Sequence, residues 1–352
     1  MLRYLLQRLF LMLPTLLGVL LVTFLVIQFV PGGPVEQMMY ELKGRGSGEV
    51  AMATTQSTGS LYQGARGVDA ERLAEIKALY GFDKPAHVRF FEMLGRFARF
   101  DLGQSWRHHA DVWTLIKSKL PVSMSIGLTS FFLAYLIAVP LGVAKAVRHG
   151  SRFDLISTLI IMAGYAIPGF VLGVALLVLF GGGSFWQVFP LRGLTSDNWA
   201  DLTLMGKLMD YLWHLVLPVT AMTVGSFASL TMLTKNTFLE EIRKQYVMTA
   251  RAKGLSERRI FWKHIFRNAL IPLLVGLPEA FLAAFFTGSI LIETLFSLDG
   301  LGLLSYESIL RRDYPVVLGS LYFFTLLGLV GKLVSDLCYA LVDPRVSFEG
   351  AQ

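Results

Sequence analysis

The chain has 352 residues, of which 54% are apolar and 16% charged; Lys+Arg number 32 against 25 Asp+Glu, giving a formal net charge of +7, and the mean hydropathy is +0.56. That composition excludes both a disordered chain and an ordinary soluble domain of this length. A single cysteine, Cys338, excludes an internal disulfide framework and a Cys-rich metal site.

In chain order, the first element is Leu9–Val30, which carries no charge. At about 1.5 Å per residue it reaches ~33 Å, enough to cross a bilayer core. It is too long for a signal-peptide core, and Pro31-Gly32-Gly33-Pro34 ends it sharply. Five further candidate spans follow at Val122–Val143, Leu155–Phe180, Leu215–Leu233, Ala269–Ile292 and Val316–Leu341. These stretches lack the alternation of barrel strands, so the predicted fold is all-α, a polytopic membrane protein with six transmembrane helices. Lys and Arg placement predicts both termini in the cytoplasm. The inside pieces (Met1–Arg8, Ala144–Asp154, Thr234–Asn268, Val342–Gln352) then carry a net +9, and the outside pieces (Pro31–Pro121, Gly181–His214, Glu293–Pro315) carry −1. The layout is therefore residues 1–30 as cytoplasmic N-terminus and first span, and 31–121 as an outside insertion. Residues 122–341 form a five-span core with a cytoplasmic loop at 234–268, and 342–352 a cytoplasmic tail.

Within the insertion, Gly44–Gly67 reads as a Gly/Ser/Thr-rich loop. Asp69–Tyr80 reads as a short helix capped by Asp69 and closed by Gly81. In Val88–Phe100, helical spacing puts Val88, Phe91, Leu94, Phe97 and Phe100 on one apolar stripe. This segment can cap the span tops or offer a docking surface to an external partner. No fixed-period repeat is visible.

The loop 234–268 is the most informative stretch. Thr237-Phe-Leu-Glu240 fits a capping box that opens a helix at Phe238, running to Lys253. Gly254 supplies a left-handed position after it, with Leu255 as the accompanying apolar contact. Ser256 caps a second helix, Glu257–Asn268, with Glu257 and Arg267 placed to suit its dipole. Ile242, Tyr246, Thr249, Ala250 and Lys253 share one side of the first helix, and the small Ala250 and Ala252 permit close approach. Nine basic residues surround the pair. Two uses fit: an interfacial helix held on anionic lipid, or a helix seated in a groove of a cytoplasmic partner.

Met248-Thr-Ala-Arg-Ala-Lys-Gly254-Leu255-Ser256, followed by Arg267-Asn-Ala-Leu-Ile-Pro272, resembles the ATPase-contacting loop of ABC importer permeases, and more narrowly of the dipeptide/oligopeptide family. Met248 and Thr249 depart from the general Glu-Ala-Ala-x-x-x-Gly pattern, which Ala250 and Gly254 keep. Arg3 to Pro34, Tyr80–Pro85, Asp101–Ser105, Ile292–Phe296, Gly300–Gly302, Arg312–Pro315 and Leu341–Arg345 extend the likeness over nearly the whole chain. Gly150–Asp154, Leu191–Gly193 and Leu230–Asn236 resemble the B-type permeases of microcin C/oligopeptide importers.

The resemblance implies a type I importer permease in a bacterial inner membrane. It also implies a second homologous permease, two cytoplasmic ATPase domains (separate or fused) that use ATP and Mg, an external peptide-binding protein and a peptide substrate. It places the ATPase contact at Tyr246, Thr249, Ala250, Arg251, Ala252, Lys253, Gly254, Leu255, Ser256 and Glu257.

The chain lacks a Gly-x-x-x-x-Gly-Lys-[Ser/Thr] loop, so no ATP hydrolysis or bound cofactor is expected of it, and Gly181-Gly182-Gly183 reads as a turn. Ionisable residues inside spans are functional suspects. Lys332 and Asp336, four apart, are placed to pair. Glu279, after Pro278, is a candidate for the translocation pathway. Pro168 is expected to kink the third span, and Gly169-Phe-Val-Leu-Gly173 to permit helix packing. His108 and His109 have no further ligands at metal spacing, while His214 and His264 sit at span or helix ends. Basic residues without interleaved aromatics argue against nucleic acid. The rival functions are a proton-coupled secondary peptide transporter working through Glu279 or Asp336, and a membrane scaffold for a cytoplasmic ATPase.

Overall fold

The computed structural model describes residues 2–29, 83–182, 185–286 and 289–342. The predicted loop at Gly44–Gly67, the Asp69–Tyr80 helix and nearly all of the 342–352 tail lie outside these residues. Helices dominate, and among the described residues the only strand-like pairings are two isolated bridges, Gln104 with Asp111 and Gly181 with Gln187.

We number the helices α1 (Leu2–Phe29), α2 (Ala86–Phe97), α3 (Val112–Val147), α4 (Arg152–Ala166), α5 (Gly169–Phe180), α6 (Leu204–Ile242), α7 (Gln245–Ala252), α8 (Glu257–Ala269), α9 (Ile271–Phe286), α10 (Ile290–Leu295), α11 (Leu301–Leu310) and α12 (Tyr314–Val342). Four of them, α1, α3, α6 and α12, are long and apolar enough to cross a membrane. Two bent pairs, α4 with α5 and α8 with α9, reach that standard only when each is taken as one span. Exposed Phe10, Leu13, Leu136, Leu159 and Ile160 give these helices an apolar outer surface suited to lipid.

The third predicted span is not one kinked helix. It breaks by 93° between α4 and α5. Ile167 adopts an extended conformation, as a residue before proline prefers, and Pro168 becomes the residue that caps α5. The expected close packing along Gly169 and Gly173 is present. A Cβ on Gly169 would lie 2.9 Å from the Ala221 carbonyl oxygen of α6, and one on Gly173 would lie 2.8 Å from Leu295. The fourth predicted span, Leu215–Leu233, lies inside a longer helix: α6 is a single helix of 39 residues, from a Thr203 cap whose hydroxyl accepts from the Gly206 amide to Ile242.

The chain divides into two compact units. The first comprises Met1–Met12, Ile116–Tyr306 and Phe324–Gln352. One of its cores gathers Ile126 of α3, Leu177 of α5, Leu215, Leu217, Val219 and Ala221 of α6, and Ile292, Phe296 and Leu298 around α10. Glu293, buried beside that core, accepts from the Ser123 hydroxyl and from the Leu303 amide, each at 2.8 Å, and so holds the start of α11.

The second unit comprises Leu13–Leu115 and Glu307–Phe323. Here α2 buries Met93 and Phe97, while Phe90 stacks near Phe24 and Phe97 near Tyr322. The predicted stripe is thus out of phase: Phe91 and Phe100 are exposed, and the inward face runs Phe90, Met93, Leu94, Phe97. Both stripes satisfy a helical period, and only the position of Phe24 and Tyr322 chooses between them. Asp313 anchors the insertion, accepting from the Ser105 hydroxyl and from the Trp106 amide at 3.1 Å.

Candidate functional site

The loop 234–268 folds as an elbow, but its first helix is shorter than predicted. Thr237 does not open a helix. It lies inside α6, where its hydroxyl donates to the Thr234 carbonyl. Nothing upstream breaks α6, so the capping-box residues are simply carried within it. The break falls at Arg243 and Lys244, where Lys244 turns to extended backbone and its ammonium pairs with Glu241. The first arm, α7, is therefore eight residues long.

Its end follows the prediction closely. Gly254 has φ +76°, its amide donates to Arg251 O at 2.9 Å, and the Leu255 amide donates to Ala250 O at 3.2 Å. These are the two bonds of a Schellman turn, and Leu255 packs back beside Ala250. Arg251 grips the Glu257 carboxylate across the turn with two bonds of 2.7 and 3.1 Å. Ser256 occupies the cap position of α8 without a side-chain cap bond. The interior of α8, Phe261–Ile265, is a π-helical turn.

The elbow is fastened to the long helices. Val247 and Ala250 of α7 and Ile260, Ile265 and Ala269 of α8 pack on Ala146 of α3 and Phe238 of α6. The Tyr246 hydroxyl donates to Glu241 at 2.5 Å and accepts from Asn268 at 3.3 Å, tying the end of α6 to both arms. Burial, followed by the Glu241 carboxylate, pushes the Tyr246 phenol up to about 12, so it stays a hydrogen-bond donor at neutral pH.

The ten predicted contact residues thus divide. Thr249, Arg251, Ala252, Lys253, Gly254, Ser256 and Glu257 are exposed; Tyr246 and Leu255 are half-buried. Ala250 is buried, so its small side chain admits α7 to its own core and is not an outward approach point.

Beside the elbow lies a buried charge cluster that sequence reading passed over. Lys145 of α3 has no exposed side-chain surface and reaches Asp154 at 3.1 Å, and Lys235 of α6 reaches the same carboxylate at 2.7 Å. Lys145 also donates to Ser157 and Thr158, both at 2.7 Å, and to the Asp154 carbonyl at 2.9 Å. A usable signal was present: Ser151-x-x-Asp154 is a capping pattern, and the Ser151 hydroxyl does accept from the Asp154 amide.

The predicted pathway residues are not brought together as one site. Pro168 caps α5. Glu279 is exposed on α9, and its amide donates to Ser335 of α12. The predicted Lys332–Asp336 pair is not made. Arg8 of α1 takes Asp336 at 3.2 Å and Lys332 is exposed, so the carboxylate finds its cation on another helix and not on the neighbouring turn. His214, directly before the predicted fourth span, is buried within α6, its Nδ1 2.8 Å from the Asp210 carbonyl oxygen. Among the described residues no group of three potential metal ligands converges.

Long apolar helices and a well-packed elbow with an exposed polar face define an integral membrane protein. The family model described as "Binding-protein-dependent transport system inner membrane component" matches residues 138–348, and the chain belongs to that family. More narrowly, it is 52% identical over 361 residues to the inner membrane ABC transporter permease protein YejB of Escherichia coli O157:H7, covering 99% of each chain. It is 50% identical to the peptidoglycan transport system permease protein YejB of Agrobacterium fabrum, over 98% of each. Against the oligopeptide transport system permease protein AppB of Bacillus subtilis it is 32% identical, over 98% of this chain and 99% of the other. Among solved structures, the methionine ABC transporter MetNI aligns at TM-score 0.47 and 17% identity, over 66% of this chain and 97% of that one. The family resemblance carried by the elbow motif is borne out.

Proposed function

We propose that this chain is the permease subunit of an ATP-driven importer of oligopeptides or peptide-like compounds, of the microcin C type, and forms half of the translocation pathway. The observation that carries the reading is the elbow. Its inner face is locked to α3 and α6 by the Phe238 cluster, while Thr249, Arg251, Ala252 and Lys253 face outward. A partner that seized the outer face would move the long helices with it. The full-length likeness to peptide-transport permeases supports the substrate class.

In this reading the chain has six spans with both termini in the cytoplasm of a bacterial inner membrane, the two bent pairs each serving as one span. The elbow docks on one of two ATPase domains, separate or fused, which bind ATP and Mg. A second homologous permease completes the pathway, and the 31–121 insertion meets an external peptide-binding protein. Closure of the ATPase pair pulls the elbow, and α8 passes the motion into α9. Such coupling works only if both ends prefer the same state. Glu279, exposed on α9, is the candidate pathway carboxylate. Asp336, the other carboxylate a proton-coupled rival would use, is ion-paired with Arg8 at 3.2 Å.

The test is uptake of labelled oligopeptides in vesicles reconstituted with this permease, its second permease and its ATPase. ATP and a proton ionophore are varied separately. Uptake that needs ATP and survives the ionophore supports the proposal. Uptake that persists without ATP and collapses with the gradient overturns it, as does ATPase recruitment with no flux.

A further inference from the structure

The outward face of α8 is unlike that of α7. Arg258, Arg259, Trp262, Lys263 and Arg267 are all exposed, with Trp262 58% exposed, and Ile260, Ile265 and Ala269 point the other way into the elbow core. Steps of four set Arg259, Lys263 and Arg267 in one row and Arg258 and Trp262 in the row beside it. None of these four cations forms an ion pair among the described residues. The only carboxylate on α8, Glu257, is occupied by Arg251. The face is therefore a stripe of uncompensated positive charge around one large indole. Directly after it the chain becomes α9, wholly apolar but for Glu279 and set at 45° to α8.

We propose that this stripe lies on the membrane surface and binds the phosphate headgroups of anionic phospholipids, with Trp262 inserted at the level of the headgroups. The reach is adequate. With α9 along the bilayer normal and a rise of about 1.5 Å per residue, a helix leaving at 45° places Arg267 ~4 Å, Lys263 ~8 Å and Arg259 ~13 Å beyond the start of α9. The polar layer of one leaflet is roughly 5–8 Å deep. Arg267 lies within it and Lys263 at its edge, while Trp262, ~10 Å beyond the start of α9, and Arg259 reach back by extending their side chains. Tryptophan prefers this boundary because its ring is apolar and its N–H is polar. Such a contact fixes the pivot between α8 and α9 against the bilayer while α7 remains free for a protein partner. It requires the elbow to lie beside the membrane surface, as in the functional reading above, but it does not require an ATPase to dock.

The experiment uses the purified full chain in nanodiscs of phosphatidylcholine containing a minor share of spin-labelled phosphatidylglycerol. The expected result is a motionally restricted phosphatidylglycerol fraction above that of spin-labelled phosphatidylcholine. The preference should fall by about fivefold per charge removed in Arg259→Gln, Lys263→Gln and Arg267→Gln, and should persist in Arg259→Lys/Arg267→Lys. Independently of these variants, brominated phosphatidylglycerol should quench the Trp262 emission, taken as the difference between the native chain and Trp262→Phe. Equal restriction of both lipids, or no quenching of Trp262, overturns the proposal. Displacement of the lipid by inorganic phosphate at comparable concentration assigns the stripe to a soluble anion and overturns it too. Loss of Trp262 quenching in the complete transporter assigns the face to the ATPase, with the same consequence. Failure of uptake to depend on ATP would sink the functional reading and leave these lipid measurements unchanged.

Discussion

Replacing Asp154 with alanine leaves two lysines in the interior without their shared carboxylate. The consequences for the two cations differ. Lys145, with no exposed side-chain surface, keeps three neutral acceptors in Ser157, Thr158 and the carbonyl of residue 154. Lys235, whose side chain is 11% exposed, has only the Asp154 carboxylate, at 2.7 and 2.9 Å, as its described acceptor. Removing one member of a buried ion cluster typically costs about 3–5 kcal/mol, most of it the burden of the uncompensated charge. Asp154→Ala should fall in that range. Lys235→Met should cost about 1–3 kcal/mol, because the Lys145–Asp154 pair survives. The triple replacement Lys145→Met/Asp154→Leu/Lys235→Met should recover most of the loss, since an apolar set of similar volume is often neutral. The assay is unfolding of the purified chain in mixed micelles by titration with a denaturing detergent, followed by tryptophan emission. A cost below about 1 kcal/mol for Asp154→Ala would refute the reasoning, because such values belong to exposed pairs. Failure of the triple replacement to recover stability would refute it as well.

Gly254→Ala should cost about 1–2 kcal/mol and Gly254→Val more, through left-handed backbone strain alone, since nothing lies within 4 Å of the added Cβ; amide exchange at Leu255 checks this. Ala250→Asp should unfold the elbow and lower stability and transport together. Thr249→Asp, on the exposed side, should leave the melting point unchanged and lower transport-coupled ATPase activity only. Gly127→Val should prevent assembly of α3 against α9, because a Cβ there would stand 1.8 Å from the Ala284 carbonyl oxygen; yield of monodisperse protein is the readout. Burial raises the Glu293 carboxyl above its ordinary value of 4.5, against the Ser123 and Leu303 bonds that lower it. The folded chain then binds the proton more tightly than the unfolded one. Stability from this group is full below 4.5 and declines as pH rises through the native value, and Glu293→Gln should flatten that decline in a pH series of melting points.

Local chemistry was legible wherever it decided the outcome by itself. Gly254 takes left-handed backbone without the Cβ clash that any other residue would meet, and the turn it makes is the one its sequence called for. Pro168 disfavours a continuing helix without forbidding one, since Pro14, Pro140 and Pro218 lie inside unbroken helices; the break at Pro168 also seats Gly169 of α5 against Ala221. Patterns with two valid readings were settled by tertiary contacts. Thr237-x-x-Glu240 caps a helix only if one begins there, and α6 arrives from upstream without a break. Lys332 and Asp336 have pairing geometry on their own helix, but Arg8, more than three hundred residues away in sequence, takes the carboxylate. Charged residues in short loops read as solvent-facing, so Lys145 and Lys235 were counted toward orientation when both are buried against one aspartate.

The buried cluster and the elbow together define what a pull on α7 would move. The Phe238 core joins α7 and α8 to α3 and α6, and one turn earlier on α6 Lys235 joins the same two helices to α4 through Asp154. Force applied at Thr249 or Lys253 is therefore shared among three helices before it reaches α9. The π-helical turn at Phe261–Ile265 and the 45° bend after Ala269 are the departures from a straight α-helix on the remaining route, and we expect them to be its compliant points. Stiffening that route should uncouple α9 from the elbow without disturbing the α3–α4–α6 block. Deleting one residue inside Phe261–Ile265, which restores an α-helical turn, should lower transport while ATPase binding and the unfolding midpoint stay near those of the native chain. Equal loss of binding and transport would place the compliant point within the docking surface itself.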